Sequence, residues 1–339
     1  MAENGAGLLV EAHLPNVQYL TGFSGSNAVL LLGPTDEDSV LGTDGRYTDQ
    51  AEREAPDLPR HIDRDTLVAL LPRMGRQPAI DSAMPAADWL IIQQALPAAR
   101  PVSGSIEGLR AVKDDVEMAA LARACQITAT AMGLLADSMR TGDTEVALAR
   151  RLEGLFGELG ADERAFPTIV GSGPHAAIPH HQPGRRALER GDLVVVDAGA
   201  RVDGYHADMT RTFVVGEPHG WQVELHAAVL QAQQAATAAY MPGAARRDID
   251  GVARAVLSEA GLGDRFTHGL GHGVGLEIHE APMIGPRSTG TIGEQMAITV
   301  EPGAYLPDRG GVRIEDTLVV TDAGPRILTE APRDLRPVG

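Results

Sequence analysis

The sequence predicts an α+β chain in two parts: a small α/β unit, then a larger unit in which paired helices and antiparallel strands occur twice. Three observations predict it. The chain has 339 residues, which is about two domains at roughly 150 residues each. A helix–turn–helix–hairpin order recurs, with inter-helix turns Thr141-Gly142 and Pro242-Gly243 at matching places in the two halves. Each half also carries an apolar strand ending in an acid, Val194-Val195-Val196-Asp197 and Ile298-Thr299-Val300-Glu301. The expected division is a first domain at 1–105, a second at 106–330 and a tail at 331–339.

In the first part, Asn27 to Leu32 reads as a buried strand stopped by Gly33-Pro34. Helices are expected from Asp65 to Leu71, broken by Pro72, and from Ala86 to Leu96, between Pro85 and Pro97. Pro101 to Gly108 lacks periodicity and reads as a linker. Met118, Leu121, Cys125, Thr128, Met132, Leu135 and Met139 then fall three or four apart, one face of a helix from Val116 to Met139. Thr144 caps a second helix with Leu148, Leu152, Leu155 and Leu159, stopped by Gly160.

Leu193 to Val196 is a strand, Asp203-Gly204 a hairpin turn and Thr212 to Val215 the return strand. The order repeats with helices at Gln222 to Tyr240 and Asp248 to Ala260. Strands follow at Met296 to Val300 and Val312 to Val320, around a glycine turn at Gly310-Gly311. The helices are expected on one face of one sheet.

Composition narrows the function. Lys and Arg number 29 against 46 Asp and Glu, a net charge of −17. So acidic a chain does not hold a phosphate backbone by bulk attraction, which argues against a nucleic-acid partner. No apolar run approaches the roughly 20 residues of a membrane span. Cys125 is the only cysteine, so there is no intramolecular disulfide and no thiolate cluster. Its expected role is a small buried hydrophobe. Met1-Ala2-Glu3-Asn4 offers no basic leader, and the expected location is the cytoplasm. Any metal must be held by oxygen and imidazole.

The acids supply such donors. If Asp203-Gly204 is a two-residue turn, Asp197 opposes Thr210 and Asp208 lies a diagonal step away on the same face. In Arg313-Ile314-Glu315-Asp316-Thr317, alternation puts Arg313, Glu315 and Thr317 on one face and Asp316 on the other. Asp316 is therefore expected to serve as a cap or a salt-bridge partner. Clustered buried carboxylates repel one another, and a metal site resolves that cost. Between the hairpins, His268-Gly-Leu-Gly-His272-Gly-Val-Gly-Leu-Glu-Ile-His279 sets three histidines among glycines that permit close backbone approach. Two carboxylates per hairpin plus one imidazole suffice for two metals. There is no Gly-x-x-x-x-Gly-Lys loop, no Gly-x-Ser-x-Gly elbow and no helical zinc-protease motif.

At these residues the sequence resembles the pita-bread metallopeptidases, the superfamily of methionine aminopeptidase, prolidase and aminopeptidase P. The resemblance covers about Leu109 to Val320. It implies a pita-bread fold and metal ligands Asp197, Asp208, His272, Glu301 and Glu315. Ile178-Pro179-His180 and Gly-Leu-Glu-Ile-His279-Glu are similar to the proline-specific branch. The first hundred residues resemble the creatinase-type N-terminal domain. There, Pro15 to Ser26 and Thr43 to Ala51 are closer to aminopeptidase P than to prolidase.

The implied activity is a dinuclear Xaa-Pro aminopeptidase acting on peptides with proline second. The alternatives are a prolidase restricted to dipeptides and a non-catalytic binding protein. The resemblance implies manganese, with cobalt or zinc as substitutes, and a homodimer with no membrane partner. It also implies roles. Glu301 ligates metal and shuttles a proton, His279 stabilises the oxyanion, His180 and His268 hold the substrate, and Arg313 orients metal-bound carboxylates. His181, His206 and His226 are expected to be structural or exposed. Arg46 and Tyr47 either reach a neighbouring subunit's site or pack within their own domain.

Overall fold

A computed structural model describes residues 7–339. The expectation about Met1 to Asn4 lies outside the described residues. Two units separate, Met1–Arg110 and Ala111–Gly339.

The first unit is built on a six-stranded mixed sheet in the order Arg60–Ile62, Val40–Thr43, Val29–Leu32, Leu9–Glu11, Ala79–Asp81, Arg100–Val102. The apolar run Val29 to Leu32 has no alternation because both faces of its strand are covered. Val29 and Leu31 pack with Val10, Ile80 and Leu70, whereas Leu30 packs with Val17, Phe23 and Leu41. The helices expected near 65–71 and 86–96 form as Thr66–Leu70 and Ala86–Ala95. The linker expected at Pro101 to Gly108 does not form. Arg100–Val102 is an edge strand and Ser105–Arg110 a helix. Ile106 is buried there, and Arg110 donates to Asn16 Oδ1 at 2.8 Å. Periodicity fails to reveal a six-residue helix with so few apolar positions. Arg46 pairs with Asp44 of its own unit at 2.8 Å, and Tyr47 contacts Ser26.

The second unit opens with the helix Asp115–Ser138, started by a capping box in which Asp114 and Glu117 satisfy each other's main-chain N–H groups. It is the one helix among the described residues long and apolar enough to cross a membrane, yet half of that window is buried in the fold. Its inner face carries Leu121, Cys125, Met132 and Leu135. Thr144 caps Glu145–Glu158 by accepting from Ala147 N. The second half repeats the pair as Gly220–Ala238 and Arg246–Glu259.

The strands fall into two main sheets rather than one continuous sheet. A four-stranded sheet runs Arg336–Val338, Met209–Val215, Leu193–Ala198, Ile169–Ser172. A five-stranded sheet runs Glu280–Ile284, Gly271–Gly273, Ala297–Val300, Asp316–Thr321, Gly324–Ile327. They meet where Glu315 N donates to Thr210 O at 3.1 Å. Each helix pair covers its own apolar core, and both sheets contribute to each: Val194, Val196, Phe213 and Val319 to one, and Val195, Val214, Ile298, Val300 and Leu318 to the other.

Two strand expectations change. Val312 to Val320 is not continuous: Gly310–Arg313 pairs with Gly303–Leu306, and Asp316–Thr321 pairs with Ala297–Val300. The break frees Glu315 for the site. The turn lies before Gly310, where Asp308 adopts φ 61°. Residues 331–339 are not a detached tail, because Arg336–Val338 adds a parallel strand beside Phe213, Val214 and Val215.

Candidate active site

The first hairpin keeps the expected register: Asp197 pairs with Thr210, and Val202 with Tyr205 across Asp203-Gly204. Asp208 sits just before the return strand and is buried. The histidine-bearing strand Gly271–Gly273 lies between two neighbours, and its glycines make that possible. A Cβ on Gly271 would sit 2.1 Å from Thr299 O, and one on Gly273 would sit 2.1 Å from Ala281 O. His272 is thereby pressed toward the acids. Gly273 O lies 3.0 Å from its Nδ1, so Nε2 is the atom that faces the carboxylates.

That nitrogen lies 3.5 Å from Asp208 Oδ2 and 3.6 Å from Glu301 Oε1. Donor atoms of Asp208, His272 and Glu315 all lie within 4.8 Å of one another. Asp197 joins through Arg313, whose NH2 donates to Asp197 Oδ2 at 2.7 Å. Asp197 Oδ1 and Asp208 Oδ1 are buried without a hydrogen-bond partner. Buried oxygens left bare in this way fit a cation, since otherwise each costs its desolvation with no return. The donor set, four carboxylates and one imidazole, suits a divalent ion.

The electrostatics carry the same signature. Burial, then repulsion from Glu315, Asp197 and Glu301, pushes the Asp208 carboxyl well up. Burial and Glu315 do the same to Glu301. Burial and Asp197 push Glu315 up to about 8. Burial holds His272 and His268 down to about 4 and lowers His279, which keeps the imidazoles neutral and able to ligate or accept.

A prediction follows for metal-free protein. A folded-state pKa of about 8 for Glu315 against 4.5 for the free group means that the fold binds this proton more tightly than the unfolded chain. Its contribution is complete below pH 4.5 and is lost as pH rises toward 8. Below 6.5 the depressed histidines oppose it, so the clean window is pH 6.5 to 8. Thermal scans should show the chelated protein losing stability across that window, with the gap to metal-loaded protein widening. A constant gap would refute this.

The remaining expected residues surround the acids. Two adjoining hollows share His180, His272, His279, Glu301 and Arg313. One, about 290 Å³, adds His268, Met283, Ile284 and Ser288. The other, about 280 Å³, adds Phe166, Thr168, Ile169 and Ile278. A roomier hollow of about 480 Å³ lies against Asp115–Ser138 and contains none of these acids or histidines, so volume alone does not mark the site. The His272 and His279 rings meet edge to face at 4.4 Å. Arg313 uses four of its five N–H donors: besides Asp197 it donates to Thr210 Oγ1 at 3.0 Å, Pro179 O at 3.1 Å and Tyr305 Oη at 3.0 Å.

Two participants were not anticipated. Tyr305 Oη lies 2.9 Å from His268 Nε2 and joins that ring to Arg313. Thr210 Oγ1 donates to Glu315 Oε2 at 2.6 Å. For Thr210 the signal was present in its pairing with Asp197; Tyr305 had none. Asp316 points away, as alternation requires, into a salt bridge with Arg211 at 2.8 Å. His206 and His226 are buried, and His181 pairs with Glu145 at 2.9 Å.

Comparison with known proteins agrees with this geometry. Residues 119–322 match the metallopeptidase family M24 and residues 1–112 the creatinase/prolidase N-terminal domain. The Xaa-Pro dipeptidase of Pyrococcus furiosus is 42% identical over 236 residues, 70% of this chain and 68% of the relative. The Xaa-Pro dipeptidase structure from Bacillus anthracis superposes with a TM-score of 0.95 at 32% identity, covering 99% of this chain and 96% of that one. The X-Pro aminopeptidase structure from Thermotoga maritima gives 0.90 at 33%, covering 98% of each. A clustered set of buried acids on two related hairpins, in a chain that also carries a creatinase-type domain, therefore has its explanation: the chain belongs to metallopeptidase family M24 and is a hydrolase of the pita-bread fold.

Proposed function

We propose that this protein hydrolyses the peptide bond before proline in Xaa-Pro dipeptides, using two divalent cations. The observation that carries the reading is the pair of buried, partnerless oxygens on Asp197 and Asp208 within a set of four carboxylates and one imidazole. Asp197, Asp208, His272, Glu301 and Glu315 would hold the ions, with manganese suited to so oxygen-rich a set. Bound there, the cations lower the pKa of a water toward neutrality and polarise the scissile carbonyl.

The chain's own groups do the rest. Glu301, whose carboxyl is pushed up by burial and Glu315, carries the proton from the attacking water to the leaving nitrogen. His279 donates to the developing oxyanion. His180 and His268 hold the substrate on either side, and Tyr305 fixes the His268 ring. Arg313 keeps Asp197 oriented. The assignment to dipeptides is supported by the names borne by the Pyrococcus and Bacillus relatives. It replaces the aminopeptidase P preference drawn from the N-terminal segments.

One observation favours the second reading, removal of the first residue from longer peptides. Among the described residues lining the hollows, Arg313 is the only arginine or lysine, and four of its five N–H donors already hold protein partners, so little of the guanidinium is left for a free substrate carboxylate. Assays of Ala-Pro and Ala-Pro-Ala with manganese or chelator decide between them. The expected result is metal-dependent cleavage of the dipeptide and at least about tenfold lower kcat/KM on the tripeptide, about 1.4 kcal/mol of discrimination. Equal cleavage of both establishes the aminopeptidase reading. The reading also carries a cytoplasmic homodimer, which sedimentation would measure.

A further inference from the structure

We propose that Glu145 is a positioning residue for the cleft: with His175 and His181 it forms a clasp that fixes the loop presenting His180 to substrate. The inference rests on the proposed reading that His180 touches the substrate.

Glu145 is the first residue of the helix Glu145–Glu158, and its side chain is fully buried. One oxygen accepts from Ser172 N at 2.9 Å, Ser172 Oγ at 2.8 Å and His175 Nδ1 at 2.9 Å. The other accepts from His181 Nε2 at 2.9 Å and Gly184 N at 3.0 Å. Five donors saturate a carboxylate that offers about four lone-pair sites. Burial alone would raise its pKa, but the hydrogen bonds from His181, Gly184 and Ser172 outweigh it and hold the group down at about 2. The carboxylate does not line the cleft, yet the segment it grips does. Between the two gripped histidines lie Pro179, whose carbonyl takes Arg313 NH1, and His180, which lines both hollows.

The same three donors lie close enough to ligate an ion, but the rings argue otherwise. His175 and His181 stack at 4.2 Å with planes 31° apart, and each nitrogen faces its own oxygen. A cation in the plane of one ring would sit off the plane of the other, whereas two N–H groups donating side by side fit as they stand. The second half has a counterpart. On its second helix, Arg246–Glu259, buried Asp250 grips Arg254 at 2.7 Å. Arg254 donates to the carbonyls of Phe266 and His268 at 3.0 and 2.5 Å. In each half, one buried acid on the second helix pins the segment bearing a cleft histidine.

The test is a double-mutant cycle on Ala-Pro hydrolysis with wild type, Glu145→Gln, His180→Ala and the double variant. Glu145→Gln should raise KM about tenfold with kcat within about threefold. In the His180→Ala background it should add less than about twofold, because its effect runs through His180. A full tenfold in both backgrounds would mean general structural damage and overturn the proposal. His181→Phe, which leaves the other four donors to Glu145, should show the same coupling if Glu145→Gln does not fold.

Amide exchange supplies a readout without turnover. The Ile178 and His181 amides, bonded within the loop to His175 O and Ile178 O, should exchange at least about tenfold faster in Glu145→Gln. Unchanged exchange overturns the clasp, whereas a wild type that cleaves no Xaa-Pro peptide counts against the reaction instead. An ion retained by Asp208→Asn protein and lost on His175→Ala would overturn the clasp in favour of a metal site.

Discussion

Asp208→Asn should abolish peptidase activity, lowering kcat/KM at least a thousandfold, about 4 kcal/mol, in a protein that still folds. Asn preserves the shape of the side chain but removes the charge that a cation needs. Asp208 is buried, one of its oxygens has no partner, and Glu315, Asp197 and Glu301 all repel it. Removing the charge relieves that repulsion, so in chelator the variant should unfold at or above the wild-type temperature. This pairing of lost activity and retained or improved metal-free stability distinguishes a functional acid from a structural one. His272→Ala should lose activity to a similar degree, since His272 is the imidazole facing these acids. Turnover unchanged in either variant would remove the basis of the site, and metal analysis should show fewer ions retained in both.

Arg211→Met should be the most damaging change outside the cleft, costing about 3–5 kcal/mol and lowering the unfolding temperature by about 10 °C. Arg211 is buried on the first half's return strand. It donates to Asp316 Oδ1 at 2.8 Å, to Glu315 O at 2.6 Å and to Pro332 O at 2.8 Å. Asp316 is equally committed, taking Gln233 at 2.7 Å and Arg333 at 2.5 Å on its other oxygen. Removing the guanidinium leaves Asp316 with Arg333 as its remaining charge partner and strips several buried carbonyls in the seam between the halves of their donor. Arg211→Lys should recover only a small part, because one ammonium cannot replace a planar fork of five donors. A shift below about 2 °C in a thermal scan of Arg211→Met would show that the seam does not depend on this side chain.

The chemistry of the site was more legible than its supports. Asp197 opposite Thr210 follows from a two-residue turn and a strand period of two, both local rules that tertiary packing did not override. The glycines flanking His272 signalled close approach, and the structure has main-chain oxygens where their side chains would be. Tyr305 and Glu145 were invisible for the opposite reason. Each acts on residues far away in sequence, and neither belongs to a local pattern. The strand break at Ile314-Glu315 was hidden because an apolar run looks continuous whether it pairs with one neighbour or two. Substrate length is not legible in the sequence, and the relatives include both dipeptidases and an X-Pro aminopeptidase.

The parallel strand Arg336–Val338 makes completion of the first sheet wait on a segment far downstream of its partner in the chain. Its partner, Phe213 to Val215, emerges from the ribosome far earlier and waits with an open edge while the whole second half is synthesised. Parallel pairing across so long a loop is slow and entropically costly, and an uncovered edge invites pairing with another nascent chain. Until Arg336–Val338 docks, the first sheet is unfinished and the Phe213 to Val215 edge stays open to other chains.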